Sequence, residues 1–265
     1  MKLFKRILLL LLLGIGVLAY LNYSKLNIIA GYAAKNMASG VFVAGRSEAS
    51  IIQNDNNVPL IKLADVEVDK DQKAASASVY GLLERTAVQR EGLGTVLVNS
   101  DYNAEKVMPK PNRAKVQDTI PYPFGQADPR DTIFMEVDML GIQNALDMVF
   151  DNPETQKTRT ALILYKGYLL AERYVNGFTR DTPILGWSMT KSVLATCFGI
   201  LEHQKKLEMD WPAPIAEWKD DERKNITLNH LLRMQSGLEW DEDYTKISDV
   251  TRMLFLESDM TQAQK

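Results

Sequence analysis

Cysteine and histidine are almost absent from this 265-residue sequence, which has one cysteine, Cys197, and two histidines, His203 and His230. A single thiol forms no internal disulfide, and Cys/His sets that hold zinc or run redox chemistry are excluded. No metal or cofactor is expected. Excess positive charge is lacking too. The formal net charge is −3, so composition gives no reason to expect a nucleic-acid partner. Apolar residues are not scarce. At 46% hydrophobic and 25% charged, the balance is that of a folded chain and not of a disordered one. The length suits one large domain or two smaller ones.

Long apolar runs are confined to the N-terminus. Lys2, Lys5 and Arg6 precede an uncharged stretch from Ile7 to Leu21, the layout of a secretory signal. The run is short beside the ~20 residues of a comfortable span. Ala30-Gly31-Tyr32-Ala33-Ala34 is a poor cleavage site, and no cysteine follows the run to carry a lipid. The expectation is an uncleaved signal anchor over residues 1–25: a single-pass inner-membrane helix, with the rest facing the periplasm or cell exterior.

The remainder divides into an N-terminal extension over 26–130 and a second domain over 131–265. Residues 26–46 are Ala/Gly-rich and predict a helix leading out of the membrane. Short β-like runs follow at Val66–Val68, Ala75–Leu83 and Thr95–Val98, separated by charged or glycine-containing turns. Five prolines in 109–131 mark an irregular connection. Helical spacing resumes over Asp138–Phe150.

Thr160 to Val175 predicts a β-hairpin turning at Lys166-Gly167. Its first arm is apolar enough for a strand covered on both faces. A helix is expected from about Ser188 to Lys205, with Val193, Leu194, Cys197, Phe198, Ile200 and Leu201 at helical spacing. Another begins after Thr227, a suitable N-cap, and runs past Met234 to a stop at Gly237.

Ser188 and Lys191 lie three apart at the start of the first of these helices, so their side chains share one face. A serine hydroxyl is a poor nucleophile until a base takes its proton. A lysine serves as that base only when neutral, which burial and nearby positive potential promote. The helix N-terminus supplies potential, and the apolar flank is expected to supply burial. The tetrapeptide alone is a chance-level pattern that also fits an N-cap serine beside a solvated lysine. Its setting carries the weight: an apolar hairpin before it, Trp187 against it and an amphipathic helix after it.

The hairpin Ala161–Val175, the stretch Trp187-Ser188-Met189-Thr190-Lys191-Ser192 and the block Ile226–Leu238 together resemble the class C β-lactamase and D-alanyl-D-alanine-peptidase-like serine hydrolases. The nearest likeness is to the 6-aminohexanoate-dimer hydrolase branch. The clear similarity covers roughly 155–245. It implies an α/β fold of the α+β type, with an antiparallel sheet flanked by helices, a helical region, and the site between them. It implies an acyl-enzyme on Ser188, Lys191 as general base and an oxyanion held by backbone N–H groups, one from Ser188 itself. The substrate would be a small molecule with an amide or ester bond.

The sequence departs from the family pattern in two places. A Tyr-x-Asn motif and a Lys-Thr-Gly-like strand are expected well after the serine. Tyr20-Leu21-Asn22 and Tyr174-Val175-Asn176 both precede it, and no such strand follows. The resemblance therefore implies a C-terminally truncated domain with little or no activity of its own.

Other residues are secondary candidates. Tyr244, on a loop with Trp240, matches a tyrosine that covers substrate in the aminohexanoate-hydrolase-like branch; a Tyr/Trp pair packing under the loop is the plainer reading. Trp187 either lines the pocket or anchors the helix start. The acidic residues around Tyr244 lack calcium-loop spacing. His203 reads as surface, His230 as structural, and Cys197 as inert core. Gly186-Trp187-Ser188-Met189-Thr190 lacks the second glycine of a nucleophile elbow. The rival to a hydrolase is a membrane-anchored binding protein that keeps the fold without the chemistry. Oligomeric state is not legible.

Overall fold

The computed structural model describes residues 2–100, 102–106, 110–112 and 118–257. Of the Pro-rich connection, Pro109 lies outside the described residues. The chain divides into two compact units, Met1–Pro109 with Ile184–Lys265, and Lys110–Pro183.

The first unit opens with α1 (Lys2–Asn22), α2 (Leu26–Phe42) and α3 (Glu48–Asn54). Among the described residues, no helix is long and apolar enough to cross a membrane. The expected N-terminal membrane helix is therefore not found. Lys2, Lys5 and Arg6 occupy the first turns of α1. The stretch from Ile7 to Leu21 then extends only about 22 Å at ~1.5 Å per residue, against a hydrocarbon core of about 30 Å.

Helix α2 is the centre of the unit. Strands β1 (Ala64–Asp69), β2 (Ala74–Val79), β3 (Leu82–Arg90) and β4 (Gly94–Leu97) form an antiparallel meander in sequence order. Ala30, Ala33, Ala34, Met37 and Ala38 of α2 share one core with Ala75, Ala77, Ala87 and Leu97 of the sheet. Small side chains on both sides let helix and sheet approach closely, and each buried methyl contributes about 0.8 kcal/mol. Gly40 follows the same logic. A Cβ there would collide with the Ile51 side chain of α3. A buried Arg46–Asp55 ion pair at 2.7 Å joins the segments flanking α3.

The sheet holds one strand more than the sequence suggests. Ala75–Leu83 reads as a single run, yet the chain reverses inside it. Tyr80 (φ 54) and Gly81 (φ 70) are both left-handed, the geometry of a tight hairpin turn, and Val79 pairs with Leu82 across it. The mixed polar pattern of β3, Glu84-Arg85-Thr86-Ala87, hides a strand in which only Arg85 and Ala87 are buried.

Later segments of this unit are α6 (Met189–His203), α7 (Leu228–Leu232) and α8 (Asp249–Phe255); the second unit supplies α4 (Met139–Phe150), α5 (Pro153–Gln156), β5 (Thr160–Tyr165) and β6 (Tyr168–Tyr174). Phe255 of α8 belongs to the same core as α2. Arg85 donates to Asn27 and Asn99, and Asn99 donates to the Glu257 carbonyl at 2.9 Å, fastening the end of α8 to the sheet. A smaller cluster of Ala213, Trp218 and Ile226 organises the chain before α7.

In the second unit the expected hairpin forms, with Lys166 (φ 48) and Gly167 (φ 81) at the turn. It is a two-stranded sheet of its own. Its first arm is not covered on both faces, since Leu162 and Leu164 are exposed. Helix α4 begins after Asp138 as its spacing predicts, and Asp147 pairs with Arg173 of β6 at 2.7 Å. Phe134 sits edge-on to Tyr165 and Tyr168 at 5.1 and 5.5 Å. Helices with antiparallel strands fit the expected α/β class.

Candidate active site

Helix α6 starts where the sequence places it, with Ser188 as its N-cap residue. The Ser188 side chain does not cap the helix. Its Oγ instead accepts a hydrogen bond from Lys191 Nζ at 2.9 Å. The turn is built by Met189 N–H to the Gly186 carbonyl, Thr190 N–H to Trp187, and Lys191 N–H to Ser188. Thr190 Oγ1 reinforces it by donating to the Trp187 carbonyl at 2.6 Å. Among the described residues, the Ser188 amide donates to none of the carbonyls of this turn.

Trp187 holds a left-handed backbone (φ 43), uncommon for a bulky residue. Its ring stacks on Tyr32 of α2, centroids 5.9 Å apart, and Tyr32 leans on Phe255 at 6.4 Å. The residue before the candidate nucleophile is thus fixed to the core by an aromatic chain. An aromatic residue next to the motif was the sequence's clue; its partner on α2, far earlier in the chain, was not legible.

Ser188, Lys191, Trp187 and Tyr244 line one cavity of about 420 Å³, along with Trp240, Met234 and Glu242. The four residues singled out in the sequence are therefore brought together. Tyr244 Oη donates to Glu242 at 3.0 Å, and desolvation, followed by that carboxylate, holds the phenol above its usual range. On the same loop Lys246 pairs with Asp241 at 2.8 Å and reaches Asp243 at 3.8 Å. The Lys246 hydrogen bond, and after it the one from the Asp243 amide, hold the Asp241 carboxyl below its ordinary range. For Asp243 the Thr245 hydroxyl is the larger cause.

The burial expected from α6 is absent. No residue of this helix is buried, and Val193, Leu194 and Ile200 are exposed. Ser188 and Lys191 are exposed as well. Cys197, expected in a core, is also exposed. The apolar stripe exists, but among the described residues it is not packed away. Such cover as the pair has comes from the cavity's aromatic walls.

Helix α7 is shorter than its pattern suggests. Met234 turns left-handed (φ 56) before Gly237 (φ 75) is reached. His230 is structural, as its position suggests. Its Nδ1 accepts from the Thr227 amide while Thr227 Oγ1 accepts from the His230 amide, a reciprocal cap. His203 lies exposed in the last turn of α6.

Residues 155–259 match the family model described as Beta-lactamase. The matched segment is less than half of the chain and contains Ser188, Lys191 and Tyr244. It supports kinship with the serine β-lactamase/transpeptidase-like family and a serine-hydrolase type of function in general terms. No curated protein and no solved structure matches the chain.

Proposed function

We propose that the protein is a serine hydrolase cleaving an amide or ester bond of a small molecule through an acyl-enzyme on Ser188. The observation that carries this reading is the 2.9 Å contact between Lys191 Nζ and Ser188 Oγ, within the reach a general base requires. With Lys191 neutral, Ser188 Oγ attacks the carbonyl carbon and its proton passes to Nζ. The oxyanion that forms lies beside the helix N-terminus, where the Ser188 amide is available to it. Collapse expels the amine or alcohol, which takes the proton back from Lys191. Water, deprotonated by Lys191, then attacks the ester carbonyl, and Ser188 leaves with the proton restored.

Trp187 and Tyr244 serve as walls for the substrate in the cavity that holds the pair. The hairpin and the block around α7 support the aminohexanoate-dimer-hydrolase branch as the nearest relation within the family. Lys2, Lys5 and Arg6 ahead of an apolar run support export of the catalytic region, which cell fractionation tests by finding it outside the cytoplasm.

A second reading has its own observation. The exposure of both Ser188 and Lys191 is what a binding protein retaining the fold without the chemistry would tolerate. Hydrolysis of p-nitrophenyl acetate separates the two. The hydrolase reading expects turnover that Ser188→Ala reduces to the background rate. Equal rates for both proteins contradict it and leave the binding reading standing.

A further inference from the structure

Among the described residues, serine or threonine stands at the N-cap of α3, α6, α7 and α8, and three of these caps behave alike. Ser47 (ψ 147), Thr227 (ψ 165) and Ser248 (ψ 179) hold extended backbones, and each side-chain oxygen accepts the backbone N–H three residues on. That is the ordinary arrangement of a helix N-cap. Ser188 departs from it. Its backbone is helical (φ −64, ψ −14), its side chain caps nothing, and its Oγ accepts from Lys191 Nζ.

The residue before each cap separates the two cases. Trp187 is left-handed (φ 43), whereas Arg46, Ile226 and Ile247 are not. Such a backbone is unfavourable for a bulky side chain and persists only where its surroundings hold it. Two contacts hold it here. Thr190 Oγ1 donates to the Trp187 carbonyl at 2.6 Å, and the Trp187 ring lies on Tyr32 with the planes 16° apart. The first contact is internal to the motif. Tyr32 comes from α2, outside the segment that matches the family model. Trp187 is otherwise open, at 52% exposure, and both rings border a cavity of about 310 Å³. A ring released from Tyr32 therefore has room to turn.

We propose that Tyr32 is a positioning residue for Ser188: by stacking on Trp187 it keeps the preceding backbone left-handed, and so holds Ser188 Oγ on Lys191 Nζ instead of on the cap of α6. The helical and extended backbones of Ser188 exclude one another. Release of the stack lets Trp187 return to an extended backbone. Ser188 then takes the role that Ser47, Thr227 and Ser248 play at their helices, and its Oγ leaves the lysine. The catalytic meaning of this switch rests on the reading of Ser188 as nucleophile. The geometry of the pair is thus set in part by a helix that lies far earlier in the chain.

Urea unfolding of a double-mutant cycle tests the coupling without reference to activity. In the wild type, Ser188→Ala is expected to change the unfolding constant by less than about twofold. In Tyr32→Leu the same change is expected to raise it about fivefold, the ordinary worth of a serine cap. Tyr32→Phe keeps a stacking ring and should restore the wild-type result. Thr190→Val, at an exposed position, removes the other contact and should move the cycle in the same direction, so it carries the test if Tyr32→Leu does not fold. The rate of fluorophosphonate labelling at Ser188 should fall about tenfold or more in Tyr32→Leu and stay within about twofold of the wild type in Tyr32→Phe. Equal effects of Ser188→Ala in every background, or labelling as fast in Tyr32→Leu as in the wild type, would overturn the positioning role. Absence of labelling in the wild type together with a coupled cycle would defeat the hydrolase reading and leave Tyr32 as the residue that places Ser188 Oγ.

Discussion

Helices α2 and α6 are close in length, 17 and 15 residues, and both carry apolar residues at helical spacing, yet they end in opposite surroundings. Nine residues of α2 are buried, most of them alanine or glycine. None of α6 is, although its apolar residues are larger. Small residues let α2 lie close on a sheet that is itself lined with alanine, so burial is nearly complete. The larger side chains of α6 find no comparable surface among the described residues. Hydrophobic spacing therefore marks a helix and its apolar face, but not whether that face is covered. The distinction matters for function, because the Ser188–Lys191 pair sits on the uncovered helix while its neighbour Trp187 is tied to the buried one.

The comparison can be broken at several points. The largest effect on stability belongs to the packed side. Met37→Ala and Ile51→Ala each leave a cavity among fully buried neighbours, with an expected loss of about 2–5 kcal/mol by urea unfolding. A loss under about 1 kcal/mol would show the α2 core to be loosely packed. On the exposed side Lys191→Met should slow acylation by p-nitrophenyl acetate about 100-fold or more, the usual worth of a general base. The unfolding midpoint should not fall; unchanged turnover would remove lysine from the mechanism.

Thr227→Val removes one half of the reciprocal cap on α7 and should cost about 1 kcal/mol, read from the urea midpoint. Leu194→Ala on the exposed face of α6 should change stability by no more than about 0.5 kcal/mol. A larger loss there would mean that α6 is covered in solution and would dissolve the contrast.

Lys35 sharpens the comparison through pH. Its folded ammonium titrates below the ordinary lysine value of 10.5 because burial disfavours the charge. Between those two values the unfolded chain binds the extra proton, so stability contributed at this position rises with pH. Below the lowered value the full penalty applies. Lys35→Met should accordingly raise the thermal midpoint at pH 7, with the gain shrinking as pH approaches 10.5. A midpoint lowered at pH 7 would show Lys35 to be a stabilising residue.

Much of this arrangement was legible in the sequence where local rules govern. The Lys166-Gly167 turn, the start of α4 after Asp138, the cap at Thr227 and the place of Ser188 at the head of α6 all follow from turn, capping and periodicity rules. What was not legible depends on tertiary packing. The reversal at Tyr80-Gly81 lies inside an apolar run. The role of α2 as the core helix was obscured by the charged and apolar run before it. Cys197 and the stripe around it look like core by spacing, and only the absence of a covering surface among the described residues places them outside. The Tyr32–Trp187 stack joins positions too distant in sequence for any local pattern to connect.

The central claim is that Ser188 is the nucleophile. Its most direct measurement is peptide mass spectrometry after treating the chain with a fluorophosphonate probe. The account predicts a single adduct on the peptide containing Ser188, lost in Ser188→Ala and much slowed in Lys191→Met. An adduct elsewhere, or labelling that survives Ser188→Ala, would contradict it.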